Sequence, residues 1–222
     1  MFEMVNWTAL VSFFLFELAL AMKPGPGMLA MASYAMGQGA KPVFIFTVGM
    51  NLVKLIFLAL VVYGFKIAEE HLLLAGIMIK ALAAVYLVFL GVKGLGVSFK
   101  DVDTDNLPKP DAKLLTGWDF FISGFLVTIS NPLDILFFAG VLPTIVDVTT
   151  VTMMDYIMFG IVIFVVETGV AMSYAVPLSM SRKFLKPSLL DRINIGTSIA
   201  LILAGLIIGY SALNAQDLLH AL

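Results

Sequence analysis

Cysteine is absent from the 222 residues, histidine occurs only twice, and charged residues make up only 13% of the chain. The first absence excludes disulfides and thiolate metal centres. The two histidines, His71 and His220, leave few soft ligands for a transition metal. The scarcity of charge is more telling, because soluble domains carry about 25% charged and about 45–50% apolar residues. Here the apolar share is 61% and the mean hydropathy is +1.04. One globular core cannot absorb that excess, so much of the surface must face lipid. A net charge of −2 and the lack of any dense basic stretch give nucleic acid no footing. The opening "MFEMVNW" also lacks the basic residues of a secretory signal, so the first apolar segment is expected to be a retained helix.

A bilayer core about 30 Å thick takes roughly 20 apolar residues of helix. Six segments satisfy that ruler: 5–37, 42–65, 72–96, 117–145, 155–178 and 193–213. The stretches between them are short except for "SFKDVDTDNLPKPDAKLLT" at 98–116, a polar linker holding Pro108 and Pro110. It divides the chain into a first three-helix unit, residues 1–97, and a second, residues 117–222. Its "DVDTDN" resembles the start of a calcium loop, but Asn106 and Ala112 stand where that loop requires Gly and Glu. A solvated linker is therefore the expectation.

Lys and Arg set the orientation. The loops after segments 1, 3 and 5 carry Lys41, Lys93, Lys100, Lys109, Lys113, Arg182, Lys183, Lys186 and Arg192, whereas the opposite side carries Lys66 beside Glu69 and Glu70. Both termini are expected outside the cytoplasm. Trp7 and Trp118, at the starts of segments 1 and 4, suit interfacial anchors.

Segments 1 and 4 are too long for a single crossing. As unbroken helices their 33 and 29 residues would span about 50 and 43 Å. Segment 1 contains Lys23-Pro24-Gly25-Pro26-Gly27, and segment 4 contains Asn131-Pro132. Each proline removes a donor and crowds an earlier carbonyl, so both helices should break. Irregular backbone survives at membrane depth only against protein or a water-filled cavity, so both breaks should face inward. Three helices per unit insert the two units with opposite orientation. The expected fold is thus an all-α integral membrane protein of six transmembrane helices, two inverted three-helix repeats with helices 1 and 4 broken near the midplane. That is a transporter layout.

Six ionisable residues lie well within the spans: Glu17, Lys23, Lys54, Lys80, Asp134 and Glu167. Insertion of Lys or Asp at a helix centre costs about 2.5–3.5 kcal/mol, so these groups should pair, line water or snorkel. Lys80, about two turns into helix 3, suits snorkelling. Glu17 is a possible site residue. Lys23 and Asp134 adjoin the two breaks, while Lys54 and Glu167 occupy comparable depths in their halves, with lysines in the first half and carboxylates in the second. The expected pairs are Lys23–Asp134 and Lys54–Glu167, whether they serve as fixed ion pairs or as exchangeable partners for a zwitterionic substrate or a proton. "GLIIG" at Gly205–Gly209 permits close helix approach, within the chain or between copies.

At "LALAMKPGPGMLAMA", "KALAAVYLVFLGVKGL" and "GFLVTISNPLDILFFAGVLP" the chain resembles the LysE-type amino-acid exporter (translocator) family. The resemblance covers nearly everything but the linker. It implies a dimeric prokaryotic inner-membrane exporter of amino acids or similar small metabolites, driven by the proton gradient or membrane potential and needing no cofactor. It also implies that Pro24, Gly25, Pro26, Asn131 and Pro132 belong to the substrate pathway. The chain departs from the family pattern in three respects: Lys23 where Thr is usual, Leu133 where a lysine follows Asn-Pro, and Asn51 with Lys54 where helix 2 often has an acid or histidine. Alternative readings are a metal-ion exporter and an uncoupled channel or scaffold. An intramembrane enzyme would need a Ser–His pair or paired aspartates in the bilayer, and no enzymatic activity is expected.

Overall fold

A computed structural model describes residues 6–67, 73–97, 115–180 and 187–220. The calcium-like stretch at 101–112 lies outside the described residues, as do Glu69, Glu70, His71, Lys100, Lys109, Lys113, Arg182, Lys183, Lys186 and the side chains of Lys66 and His220. All regular structure among the described residues is helical.

Segment 1 folds as α1 (Trp7–Met22) and α2 (Pro26–Gln38), bent by 63°. Asn6 starts α1 by accepting the Ala9 N–H at 3.1 Å. At the break Lys23 is extended and Gly25 precedes α2, where Pro26 sits in the first turn and its missing N–H costs nothing. Next come α3 (Ala40–Ile67) and α4 (Leu73–Leu95). Segment 4 folds as α5 (Gly117–Ile129) and a second arm bent from it by 53°. Thr116 and Asp119 form a reciprocal capping box at the start of α5. The second arm is not one helix: α6 (Pro132–Leu136) passes into a π-helical turn (Phe137–Val141) and then α7 (Leu142–Ile145). The Leu142 N–H reaches the Phe137 carbonyl, and Pro143, which lacks an N–H, follows at once.

The last two helices are α8 (Met153–Met180) and α9 (Pro187–His220). The 34 residues of α9 exceed the expected 193–213 segment at both ends. Asp191 and Arg192 at one end, and Asn214 at the other, continue the helix although they are too polar to have been counted in the apolar window. Among the described residues three helices (α3, α8 and α9) are long and apolar enough to cross a membrane, and the two bent pairs, each taken as one span, raise the number to five.

The distribution of side chains is that of a membrane protein. Large apolar residues such as Leu60, Val85, Ile207 and Leu213 are exposed, whereas Glu17, Lys54, Asp134 and Glu167 are buried. Two apolar cores flank those charges. One gathers Ala9 and Phe13 of α1, Leu58 and Val62 of α3, Phe137, Phe138, Val148, and Phe159 and Ile163 of α8. The other gathers Met31 and Ala35 of α2, Val43 and Phe46 of α3, Phe120 of α5, and Ala171 and Ala175 of α8. Lys54 falls between the two sets along α3, and Glu167 does so along α8.

Missing side chains bring the helices close enough to seal this interior. A Cβ on Gly49 of α3 would strike the Phe121 carbonyl of α5, and one on Gly124 of α5 would strike the Phe46 carbonyl of α3. Between α4 and α9, Gly205 faces the Ala84 carbonyl, where a Cβ would come within 2.7 Å. The first glycine of the Gly205–Gly209 spacing therefore serves packing within the chain. Asn194 of α9 secures the same crossing by donating to the Gly94 and Val97 carbonyls at 2.7 and 3.2 Å.

Candidate functional site

Lys54 is the fifteenth residue of α3 and Glu167 the fifteenth of α8, and both helices have 28 residues. Equal depth brings them together at the level where the two apolar cores meet. The Lys54 Nζ donates to Glu167 Oε1, as the sequence leads one to expect. It also donates to Glu17 Oε1 of α1 at 2.7 Å and lies 3.4 Å from Asp134 Oδ1 of α6. Three carboxyl groups from three helices thus converge on one ammonium group. Four such groups inserted without partners would cost on the order of 10 kcal/mol, comparable to the stability of a whole domain. Convergence removes most of that cost, because breaking a buried ion pair is itself worth about 3–5 kcal/mol.

The expected Lys23–Asp134 pair does not form. Asp134 sits in the first turn of α6, where Lys54 and the Asn131 side chain take its oxygens. Asn131 holds the turn from both ends: its Oδ1 accepts the Leu133 N–H at 3.1 Å while its Nδ2 donates to Asp134 Oδ2. Lys23, in the extended link after α1, points towards α4 and α9 instead. A Cβ on Gly94 would lie 3.3 Å from the Lys23 Nζ. That Nζ is buried and has no hydrogen-bond partner among the described residues.

The two breaks open on a cavity of about 480 Å³. Lys23, Pro24 and Gly25 line it from the first break, Ser130, Asn131, Pro132 and Asp134 from the second, and Lys54 and Glu167 from between. Pro26 adjoins this wall by sequence. Asn51 and Glu17 are the expected site residues that lie behind the wall. Asn51 is buried on α3, donates to Thr168 Oγ1 at 3.2 Å, and ties α3 to α8 beside the cavity rather than lining it. Lys80, half-buried on α4, joins none of the ion pairs among the described residues.

Glu17 was expected only as a possible member, yet it is fully buried against Lys54, and its second oxygen has no hydrogen-bond partner among the described residues. Two further groups, Thr128 and Ser198, were not singled out from sequence. Thr128, one turn before the second break, is buried on the cavity wall, and its hydroxyl has no partner among the described residues. The same holds for the hydroxyl of Ser198 of α9, buried near Lys23. Only the three-residue spacing of Thr128 from Asn131 was a readable signal, and Ser198 had none.

Buried charges, an apolar exterior and two interrupted helices meeting at an internal cavity define a multi-pass, membrane-embedded protein with a polar interior. The family model of the LysE type translocators matches residues 18–212, and the chain belongs to that family. It is also similar to an uncharacterized membrane protein of Synechocystis, slr1627, being 26% identical to it over 171 residues, 77% of this chain and 81% of the other. No solved structure matches the chain.

Proposed function

We propose that the protein is a secondary transporter that exports amino acids or related small metabolites across the cytoplasmic membrane of a prokaryote, with both termini outside. The carrying observation is the cavity at the two helix breaks, with Lys23 on one wall and the Lys54–Asp134–Glu167 cluster on another. Unwound backbone beside opposite charges suits a small zwitterion, because half-helix ends and side chains can replace its hydration shell. In this reading residues 1–97 and 117–222 are inverted repeats, joined by a cytoplasmic linker at 98–116. They alternate access around α1–α2 and α5–α7.

The cluster also offers a means of coupling. Full ionisation of Glu17, Asp134 and Glu167 around Lys54 would leave two negative charges without compensation. A proton taken up from one side and given up on the other offsets half of that excess, so a proton gradient would drive export through these carboxyl groups. Proteoliposomes loaded with amino-acid mixtures test the proposal, with efflux followed with and without a pH gradient and a membrane potential. At least one amino acid should leave faster than from protein-free vesicles, and an imposed gradient should accelerate it. Equal rates for every amino acid with and without protein would remove the proposal's support.

A further inference from the structure

The charged lining residues of the cavity are Lys23, Lys54, Asp134 and Glu167. Three of them are tied to one another and Lys23 is not. A buried amine with no acceptor is costly to keep unless something completes it. Among the described residues no acid pairs with it, and hydroxyl and backbone donors lie nearby. Gly94 of α4 leaves room for the Lys23 Nζ, 3.3 Å from where a Cβ would stand, and the Ser198 hydroxyl of α9 lies closer still to that point. Ser198 and Thr128 are fully buried, and neither hydroxyl has a partner among the described residues. The first backbone bond of α2 runs from the Leu29 N–H to the Gly25 carbonyl at 3.0 Å, so the N–H groups of Gly27 and Met28, both on the cavity wall, precede it.

From this convergence we infer that Lys23, backed by Ser198 and the start of α2, is a carboxylate-binding pole that selects substrates by their acid group. The inference rests on the transport reading in taking the cavity as the substrate site. A singly charged carboxylate fits better than a phosphate, since one amine and neutral donors face it. The opposite wall, with Asp134 and Glu167, repels a second negative charge and favours an amine at the other end of the ligand. Met28, Met31, Met50 and Leu90 supply apolar wall between the poles, which suits an aliphatic side chain.

Titration calorimetry on the purified full-length protein, with L-leucine, L-leucinamide and 4-methylpentanoate as probes, tests this pole without requiring transport. The unmodified protein should bind L-leucine, which shares its amine with the amide, roughly tenfold or more tightly than the amide, the worth of one charge-assisted hydrogen bond in a dry site. Lys23→Met should lose that margin, weaken 4-methylpentanoate by a like factor and leave the amide unchanged, whereas Lys23→Arg should keep the affinity for both acids. Equal affinity for L-leucine and the amide in the unmodified protein would overturn the inference, and that comparison needs no variant to fold. So would wild-type acid affinity in Lys23→Met, or the absence of binding for all three probes. Efflux from proteoliposomes is scored separately. Acid-selective binding without efflux would reject the transporter and keep the pole, while efflux indifferent to Lys23→Met would do the reverse.

Discussion

At the scale of single residues, the interior depends on one cation. Lys54 compensates Glu17, Asp134 and Glu167 at once, so the four positions are not equivalent. Replacing it with Met leaves three buried carboxyl groups facing one another without a counter-charge. The expected loss of stability is about 3–5 kcal/mol, the usual cost of stripping one partner from a buried pair. Glu17→Gln removes only surplus negative charge, and the amide oxygen can still accept from Lys54. Its stability should stay within about 1 kcal/mol of the parent or rise. Thermal unfolding in one detergent, read side by side, gives the ranking. A Lys54→Met protein as stable as Glu17→Gln would mean that the cluster is not held by its lysine. The sequence made Lys54–Glu167 readable because equal depth in two helices needs only counting. Lys23–Asp134 was misread for a physical reason. Both residues adjoin a break, but a break changes the direction of the chain, and the extended link at Lys23 turns its side chain towards α4 and α9.

At the scale of elements, the proline-bearing breaks and the glycine contacts divide the work. The breaks were legible because proline and glycine act through local geometry, which the sequence carries directly. The π-helical turn at Phe137–Val141 was not. It depends on how the register between α6 and Pro143 is resolved against neighbouring helices, and no local pattern announces it. The contacts that close the interior were hidden in the same way, since a glycine in an apolar run gives no sign of whether a neighbour's backbone lies against it. Two glycines make the contrast measurable. Gly124→Ala would drive a methyl into the Phe46 carbonyl of α3 and should cost about 1–3 kcal/mol. Gly196→Ala, where a Cβ would meet nothing within 4 Å, should gain up to about 1 kcal/mol from helix propensity alone. If the two variants unfold at the same temperature, α3 and α5 do not approach as closely as their backbones indicate.

At the scale of the whole molecule, the two apolar cores assign each loop to a face. Ala9, Val62, Val148 and Phe159 share one core, so the start of α1, the end of α3 and the loop before α8 lie together. Ala35, Val43, Phe120, Leu178 and Leu190 share the other, which groups the turn between α2 and α3 with the start of α5, the end of α8 and the start of α9. The second face is the one next to Lys41, Lys93 and Arg192, and the proposed orientation turns it to the cytoplasm because positively charged loops tend to stay there. The absence of cysteine makes this directly testable, because any introduced cysteine is the only thiol in the protein. Thr8, Thr149 and Lys41 are exposed sites on the two faces. In intact cells a membrane-impermeant maleimide should modify Thr8→Cys and Thr149→Cys and leave Lys41→Cys unmodified, and inverted vesicles should reverse the pattern. Reversal in the cells would place the termini in the cytoplasm and turn the proposed direction of export around. Labelling Thr8→Cys and Thr149→Cys from opposite sides would break the link between the shared core and a common face, because two loops resting on one core cannot be separated by a bilayer.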